Sequence, residues 1–339
     1  MSTTVSQKTA VNVVLGTMSF GDPGSEGARV ENVKDVEAAL DSLLKHGHCE
    51  VDTARIYARG TSETILGKVN WQEKGISVST KILPLYSHLP DVTAAHSPEG
   101  LRKIIVESLK ALNTDKLDIW YLHAPDRTIP YEVTLKAIDE LYREGHFKRW
   151  GVSHYTSWEV AEIVGICKQH GYVQPSVYQG IYNAIHRNVE SELFPALRKF
   201  GIAFYAFNPL AGGFLTDRYS TIDATPEAGD RLHPDGLAGK AFRARYWKPV
   251  FFDALAEVRT VATAHGLTMA EVAFRWIAHS SLLRRESGDA VIIGGSSLKQ
   301  IEENLVSLEA GPLPAEILAA LNAAWSAVKA DSTAYYKDF

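Results

Sequence analysis

Short apolar runs alternate along this chain with longer stretches in which apolar residues recur at helical spacing. The short runs are rich in β-branched and aromatic residues, and each has the length of a β-strand. Strands are therefore predicted at residues 12–17, 49–53, 76–82, 117–123, 148–154, 176–182, 202–207 and 290–295. The stretches between them are long enough to carry a helix from one strand to the next, as parallel strands require.

The longer stretches have the features of amphipathic helices with defined ends. Ser97 and Ser157 stand at N-cap positions, and Gly171 stands where a helix would stop. Pro195 interrupts the fourth stretch and is expected to kink its helix. These features predict helices at residues 33–47, 97–113, 157–171 and 188–201.

The order of these elements indicates the fold class. Seven of the eight predicted strands are followed by a helix, which is typical of right-handed βαβ units and a parallel sheet. Eight such units in one domain, residues 1–339, predict a (β/α)8 TIM barrel. A doubly wound sheet is the alternative, but no strand–GxGxxG–helix motif is present. Residues 211–249 form a long loop after strand 7, and an extra C-terminal helix precedes the tail 330–339.

Composition narrows the class of protein. The chain has 339 residues, of which 45% are hydrophobic, and its net charge is −5. Nothing in this balance indicates binding to nucleic acid or to a membrane surface. No signal peptide is found, and no apolar run approaches the roughly 20 residues of a membrane span. Two cysteines without metal-type spacing point to a reducing compartment, so a cytoplasmic protein is expected.

Polar residues that a packed core does not need stand near the ends of seven predicted strands. They are Asp52, Lys81, His123, Ser153 with His154, Gln179, Asn208, and Ser296 with Ser297. In a (β/α)8 barrel the carboxyl ends of the strands converge on one face, where active sites are built. We therefore expect these side chains to meet at the mouth of the barrel.

Four residues at this mouth have types that suit proton transfer. Lys81 lies between apolar neighbours, so its ammonium needs a partner, and Asp52 can supply one. A lysine cation beside a tyrosine favours the phenolate, which would lower the pKa of Tyr57 from about 10. Tyr57 would then exchange a proton near neutral pH, while His123 orients a carbonyl oxygen. The set suits reduction of a C=O group by a cofactor that carries the hydride.

Each of the four also has a purely structural interpretation. An aspartate at a strand end is often a turn or cap residue, and a single tyrosine usually lies at the surface or packs against other side chains. Lys81 would then be a lysine whose stem lies along apolar surface, and His123 a turn or core histidine. The presence of these four residue types on three successive strand ends favours catalysis.

Eight segments in this order match a known family. They are LGTMSFG (15–21), DTARIYARGTSETILGK (52–68), STKI (79–82), YLHAPD (121–126), GVSHY (151–155), YQGIYN (178–183), FNPLAGG (207–213) and GGSSLKQIEEN (294–304). The chain resembles an aldo-keto reductase, and it is most similar to the aflatoxin aldehyde reductase branch. The resemblance implies NADPH-dependent reduction of aldehydes and some ketones, a (β/α)8 barrel, no metal, and a homodimer.

The resemblance also implies roles for individual residues. Tyr57 is the proton donor, tuned by Lys81 and Asp52, and His123 orients the substrate carbonyl. His154 stands where most relatives have asparagine, and Phe207 where they commonly have tyrosine. The residues that match cofactor positions are Gly16, Thr17, Met18, Asp52, Ser153, His154, Gln179, Phe207, Asn208, Pro209, Leu210, Gly212, Gly213, Arg218, Gly295, Ser296, Ser297, Gln300, Glu303 and Asn304.

Two further features concern charge at the two ends of the site. Gly295 replaces the lysine that relatives place at the start of the adenosine motif, so another cation must bind the 2′-phosphate. Arg231 or Arg218 is expected to do so, although Arg231 could equally be a solvated loop charge. At the substrate end we expect Phe242 and Lys337, the latter where the resembling branch has arginine. The alternative for Lys337 is a frayed terminus without a role.

Two other function classes agree less well with the sequence. Some proteins with this fold and these four residues serve as nucleotide-binding regulatory subunits with little turnover, but no extra partner-binding N-terminal segment is seen here. Metal-dependent barrel hydrolases are disfavoured because the first strand carries no His-x-His pair.

Overall fold

The computed structural model describes residues 6–84, 96–227 and 229–337. Within this part of the chain, eight strands close into a parallel barrel in which each strand pairs with the next and the last pairs with the first. The strands are β1 Asn12–Gly16, β2 Glu50–Asp52, β3 Ser77–Ile82, β4 Leu117–Leu122, β5 Phe147–Ser153, β6 Val177–Ile181, β7 Ala203–Phe207 and β8 Ala290–Ile293. The (β/α)8 barrel is confirmed, and the closed sheet rules out the doubly wound alternative.

Helices surround the barrel and connect its strands. They are α1 Val33–Lys45, α2 Thr61–Leu66, α3 Pro98–Ala111, α4 Tyr131–Arg143, α5 Ser157–His170, α6 Leu193–Phe200, α7 Leu237–Tyr246, α8 Pro249–Ala264, α9 Met269–His279, α10 Leu298–Glu309 and α11 Ala315–Val328. The extra C-terminal helix predicted before the tail is α11, and it packs against α8. None of the helices in the described ranges is long and apolar enough to cross a membrane.

Two predicted helix ends and one predicted kink are corrected by the structure. The N-cap of α5 is Thr156, not Ser157, because Thr156 forms a capping box with Glu159. The fourth predicted helix begins at Leu193 rather than 188, which places Pro195 in its first turn. The N–H groups of a first turn have no partner within the helix, so a proline there does not kink it.

The segment 211–249 is more ordered than a loop. It contains a 3-10 turn, Ala211–Gly213, and helix α7, and it runs directly into α8. Arg218 pairs with Asp230 inside the segment, with 3.0 Å between Nη1 and Oδ1. The backbone carbonyl of Gly229 accepts a hydrogen bond from Arg29, which lies in the connection between β1 and α1. The segment therefore contacts another loop on the same face of the barrel.

Apolar side chains fill the barrel and the layer between strands and helices. The larger core cluster lies between the strands and helices, and a second cluster includes Val14, Ile119, Tyr121, Tyr205 and Ile292. As in other barrels of this size, the interior is packed rather than open. A site for a small molecule must therefore be built at the mouth, from strand ends and loops.

Candidate active site

The register of the barrel brings the predicted strand-end residues to one rim. Gly16 pairs with Asp52, and Asp52 pairs with Ser79, across the first three strands. Ser153 pairs with Gln179 at the ends of β5 and β6. Residues far apart in sequence thus become neighbours because parallel strands end together.

Lys81 and Asp52 form a buried ion pair at the centre of this rim. Their side chains are 0% and 4% exposed, and Nζ lies 2.6 Å from Oδ2. The carbonyl of Thr53 accepts a second hydrogen bond from Nζ at 2.6 Å, and Gln179 Nε2 donates to Asp52 Oδ1 at 2.9 Å. Although burial lowers it, the Asp52 carboxylate keeps the pKa of Lys81 above its ordinary value. Lys81 therefore stays charged, as a buried cation can when it is fully hydrogen-bonded.

Tyr57 is presented to this pair by a strained turn. Ala58 and Arg59, next to it in the 3-10 turn Tyr57–Gly60, have φ values of 47° and 56°. Left-handed backbone costs about 1–2 kcal/mol per non-glycine residue. The turn is held by hydrogen bonds from Thr61 Oγ1 to the Ala58 carbonyl and from Arg55 Nη1 to the Gly60 carbonyl. Strain that is maintained in this way often marks a functional position.

The hydroxyl of Tyr57 lies within reach of the buried cation. Lys81 Nζ is 3.4 Å from Tyr57 Oη and 4.8 Å from the centroid of its ring. Burial raises the pKa of Tyr57, and the Lys81 cation offsets this only in part. The sequence-based prediction of a lowered pKa is therefore wrong for this structure, because desolvation of the phenolate outweighs the nearby charge. At neutral pH Tyr57 carries its proton.

His123 stands beside Tyr57 in its neutral form. It directly follows β4, and its ring meets the Tyr57 ring edge-on at a centroid distance of 6.0 Å. Burial and the Lys81 cation hold the pKa of His123 well below its ordinary value. Its Nδ1 is buried and has no hydrogen-bond partner among the described residues. A neutral imidazole and a protonated phenol can therefore face the same small ligand.

The ends of β5 and β7 place polar and aromatic groups next to each other. Ser153 Oγ is buried and, within the described ranges, unpartnered. His154 follows with a left-handed φ of 65°, and its ring lies 5.5 Å from that of Phe207. Burial lowers the pKa of His154 well below its ordinary value, and the Lys337 and Arg245 cations add to this effect. The end of β5 thus offers an unpartnered hydroxyl close to the aromatic ring of Phe207.

Beyond Phe207 the backbone turns repeatedly through left-handed conformations. Asn208, Ala211, Gly212 and Gly213 have φ values of 61°, 50°, 71° and 104°. The Asn208 carbonyl is fixed by a hydrogen bond from Asn183 Nδ2 at 3.0 Å. Within the turn the N–H groups of Ala211 and Gly213 donate to the carbonyls of Asn208 and Leu210. Backbone with left-handed residues of this kind can form anion-binding concavities. Pro209 is buried and Leu210 half-buried in the same turn.

The predicted substrate residue Phe242 lies within this region. A Cβ on Gly212 would stand 2.5 Å from the ring of Phe242, so the glycine is required for close packing. The Phe242 ring is buried in this contact. The structure therefore places Phe242 against the turn that follows β7.

The residues predicted for the adenosine end lie at the start of α10. Ser297 caps the helix by accepting from Gln300 N. Ser296 donates both its N–H and its hydroxyl to Gln300 Oε1, each at 2.8 Å, and Ser19 Oγ donates to the Gly295 carbonyl. The N-terminus of a helix favours phosphate groups.

The remaining predicted cofactor residues lie around these elements. Thr17 N and Oγ1 donate to the Asp52 carbonyl at the end of β1. Met18 is 37% exposed beside it. Asn304 Nδ2 donates to the Gly294 carbonyl at 3.0 Å, and Glu303 faces Lys299 across one helical turn.

The two candidate arginines have different surroundings. Arg218 is tied to Asp230, as described above, and is half-exposed. Arg231 is partly buried, and no carboxylate of the described chain pairs with it. Its guanidinium interacts electrostatically with Tyr57 and with Arg29. Arg231 thus belongs to the mouth, whereas Arg218 serves an internal contact.

Lys337 also lies at the mouth. Its N–H donates to the His154 carbonyl at 3.1 Å, and its ammonium is one of the charges that lower the pKa of His123. Burial lowers the pKa of Lys337 itself, and the Arg245 cation adds to this effect. Asp338 and Phe339, at the end of the tail, lie outside the described residues.

Several residues of this region were not predicted from the sequence. Asn183 and Arg127 donate hydrogen bonds to the carbonyls of Asn208 and Lys337, whereas Arg245 and Tyr335 influence the pKa of His154. Only Asn183 carried a signal, because it ends the YQGIYN segment. The others act from outside the strand ends, through loops and the C-terminal tail, where strand periodicity gives no guidance.

Comparison with known proteins gives one consistent answer. Residues 12–326 match the model of the aldo/keto reductase family. The chain is 47% identical to an aldo-keto reductase of Pseudocercospora fijiensis over 88% of its length and 99% of that protein. It is 42% identical to the aldo-keto reductase pigE of Monascus ruber, over 98% of this chain and 99% of the relative. Aflatoxin B1 aldehyde reductase member 2 of Homo sapiens is 41% identical over 96% of this chain and 89% of the human protein.

Proposed function

Because this chain belongs to the aldo/keto reductase family, an oxidoreductase family that acts on carbonyl compounds, we propose that it reduces aldehydes to alcohols with NADPH. Dialdehydes, semialdehydes and some ketones are included in the proposed range. The observation that carries the proposal is the protonated Tyr57, which stands between a buried lysine cation and a neutral histidine.

The described residues have distinct parts in the proposed reaction. The carbonyl oxygen of the substrate binds between Tyr57 Oη and the His123 imidazole, which orients it by a hydrogen bond. Tyr57 gives its proton to that oxygen as the oxygen gains negative charge. Lys81 then stabilises the phenolate, and Asp52 holds Lys81 in place with its charge retained.

The residues around the mouth fit NADPH. Its nicotinamide would lie against Phe207 with Ser153, His154 and Gln179 around the carboxamide, and its pyrophosphate on the turn from Asn208 to Gly213. The adenosine phosphate would lie at the start of α10, near Ser296 and Ser297. When bound, the cofactor supplies the hydride.

The proposed activity is tested by following NADPH consumption with a panel of aldehydes, dialdehydes and ketoacids. Steady turnover with at least one of them supports a reductase. Tight binding of NADPH without turnover across the panel would instead indicate a nucleotide-binding regulatory subunit.

Replacement of Arg231 tests how the cofactor is selected. Its guanidinium lies in the mouth and has no carboxylate partner in the described ranges, so it can bind a phosphate group. Arg231→Ala is expected to weaken NADPH binding by about 1.5–3 kcal/mol, the size of a charge-assisted hydrogen bond, and to leave NADH binding nearly unchanged. The measurement is the Kd of both cofactors.

Arg218→Ala is the matched control, because that guanidinium is engaged by Asp230 in the same segment. An unchanged ratio of NADPH to NADH affinity in Arg231→Ala would remove Arg231 from the 2′-phosphate. A fall in that ratio for Arg218→Ala alone would move the role to Arg218.

Replacement of Lys337 tests the preference for charged substrates. Its ammonium lies close enough to His123 to lower the pKa of the imidazole, so it can also attract a carboxylate on a bound aldehyde. Lys337→Ala is expected to raise KM for p-carboxybenzaldehyde by about threefold to tenfold, the effect of losing one polar contact. The KM for the uncharged p-nitrobenzaldehyde should change little. Lys337→Arg, which offers two parallel hydrogen bonds, should lower the KM for p-carboxybenzaldehyde. Equal effects on the two aldehydes would exclude a charge-specific role.

A further inference from the structure

The described part of the C-terminal tail, residues 330–337, returns to the barrel mouth and is attached there largely through its backbone. The carbonyl of Asp331 accepts from Lys248 Nζ at 2.6 Å, and that of Thr333 accepts from Asn188 Nδ2 at 2.9 Å. The hydroxyl of Tyr335 accepts from the backbone N–H of Ser157 at 3.2 Å. These bonds lead the tail to the start of α5, next to the end of β5.

Lys337, the last described residue, is held at both its backbone groups. Its N–H donates to the His154 carbonyl at 3.1 Å, and its carbonyl accepts from Arg127 Nη1 at 3.1 Å. Arg127 lies in the connection from β4 to α4, four residues after His123. The tail is thus clamped between two loops that each follow a strand with a proposed site residue at its end.

Arg127 makes this contact while it is fixed to a carboxylate. Its Nε lies 2.8 Å from Glu159 Oε1, and its Nη2 lies 3.2 Å from Glu159 Oε2. The guanidinium therefore uses two of its nitrogens for Glu159 and the third for the tail. Lysine cannot reproduce this arrangement, because it has one ammonium and no planar fork.

Glu159 is a rigid anchor for this contact. It is fully buried, and the N–H and hydroxyl of Thr156 both donate to its Oε2 at 2.8 Å in the capping box of α5. Tyr131 Oη donates to Oε1 at 2.7 Å. Burial would raise the pKa of Glu159, but the hydrogen bonds from Arg127, Thr156 and Tyr131 hold it below its ordinary value. Glu159 is therefore a carboxylate whose position is set by the helix start.

The loop that carries Arg127 is also fixed locally. Asp126 is buried, and its Oδ1 accepts from the N–H of Thr128 at 3.1 Å and from its hydroxyl at 2.6 Å. The backbone on both sides of Arg127 is thereby held in a turn. The guanidinium is presented from a defined position rather than from a freely moving loop.

We propose that Arg127 is a positioning residue, which holds the C-terminal tail, and with it the ammonium of Lys337, against the barrel mouth. Through the tail it sets how closely a charged aldehyde is held, without contacting substrate or cofactor. The kinetic consequence rests on the proposed reductase activity, whereas the effect on the tail does not.

The tail itself is tested by digestion of the folded protein with a carboxypeptidase. Arg127→Ala and Arg127→Lys are both expected to release C-terminal residues about threefold to tenfold faster than the native protein, the effect of losing one net hydrogen bond. Arg102→Ala is the matched control, because Arg102 forms the same two-pronged contact with Glu144, at 2.6 Å for each bond, and neither residue contacts the tail in the described structure.

The lysine variant separates positioning from simple loss of stability. Arg127→Lys keeps a cation beside the buried Glu159, so its Tm should stay near that of the native protein, while Arg127→Ala is expected to lower it. Both variants should raise KM for p-carboxybenzaldehyde several-fold. Both should leave the Kd for NADPH and the kcat for p-nitrobenzaldehyde within about twofold of the native values, because Arg127 is proposed to contact neither the cofactor nor the substrate.

Two results would overturn the proposal. In the first, Arg127→Lys shows the same rate of tail release and the same KM as the native protein. Arg127 would then serve only to balance the charge of Glu159. In the second, Arg102→Ala releases the tail as fast as the Arg127 variants, which would make the effect nonspecific. If no aldehyde is turned over by the native protein, the proposed function fails, but the digestion still decides whether Arg127 holds the tail.

Discussion

Replacing Tyr57 by phenylalanine is expected to lower kcat for a simple aldehyde by at least about 100-fold, the contribution of one general acid. The hydroxyl is the group that the structure places 3.4 Å from the Lys81 ammonium and beside the neutral His123. Phenylalanine keeps the ring that packs near both residues but has no proton to give. The Kd for NADPH should stay near the native value, and stopped-flow reduction of p-nitrobenzaldehyde measures the loss.

Tyr205→Phe is a suitable control for this experiment. Tyr205 is also a buried tyrosine of the barrel, but its hydroxyl donates to Glu50 at the start of β2, away from the mouth. Its replacement should change kcat by less than about twofold if catalysis depends on one hydroxyl. Near-native reduction by Tyr57→Phe would show that the proton comes from another source.

The second large effect is expected on replacing Lys81 by methionine. This change removes the cation from a fully buried pair and leaves the Asp52 carboxylate with Gln179 as its side-chain hydrogen-bond donor among the described residues. Breaking a buried pair from one side costs about 3–5 kcal/mol of unfolding free energy. Aldehyde reduction should also be lost, because no charge remains to stabilise the Tyr57 phenolate. Chemical denaturation and steady-state kinetics measure the two effects.

A double replacement separates the two consequences of losing Lys81. In Lys81→Met with Asp52→Asn the buried carboxylate is gone, so much of the lost stability should return. Activity should not return, because the cation that supports Tyr57 is still missing. Recovery of both stability and activity in the double variant would mean that Lys81 serves the fold alone.

Much of the architecture could be predicted from the sequence because it follows from periodicity. The strands of a parallel barrel are buried on both sides and alternate with amphipathic helices. Both the short apolar strand segments and the helical periodicity can therefore be recognised in the sequence. The polar residues Asp52, Lys81 and His123 were conspicuous at strand ends for the same reason. Helix boundaries were less certain, since the choice of Thr156 over Ser157 as N-cap depends on the reciprocal bonds with Glu159.

The electrostatics of the site could not be predicted in the same way. Sequence shows that Lys81 can approach Tyr57, but the pKa of the phenol depends on how far the structure removes it from water. Burial proved the larger effect, and it raises the pKa. The clamp formed by Arg127, Glu159 and Lys337 joins three segments that are distant in sequence, and no periodic pattern relates them.

We propose that a hydride passes from NADPH to an aldehyde bound at Tyr57. It is tested most directly by mixing the native protein with p-nitrobenzaldehyde and NADPH that carries deuterium at the transferable position of the nicotinamide. Mass spectrometry of the product should show p-nitrobenzyl alcohol with one deuterium on its carbinol carbon. Alcohol without deuterium, or bound NADPH with no alcohol formed from this or any other aldehyde, would contradict this hydride transfer.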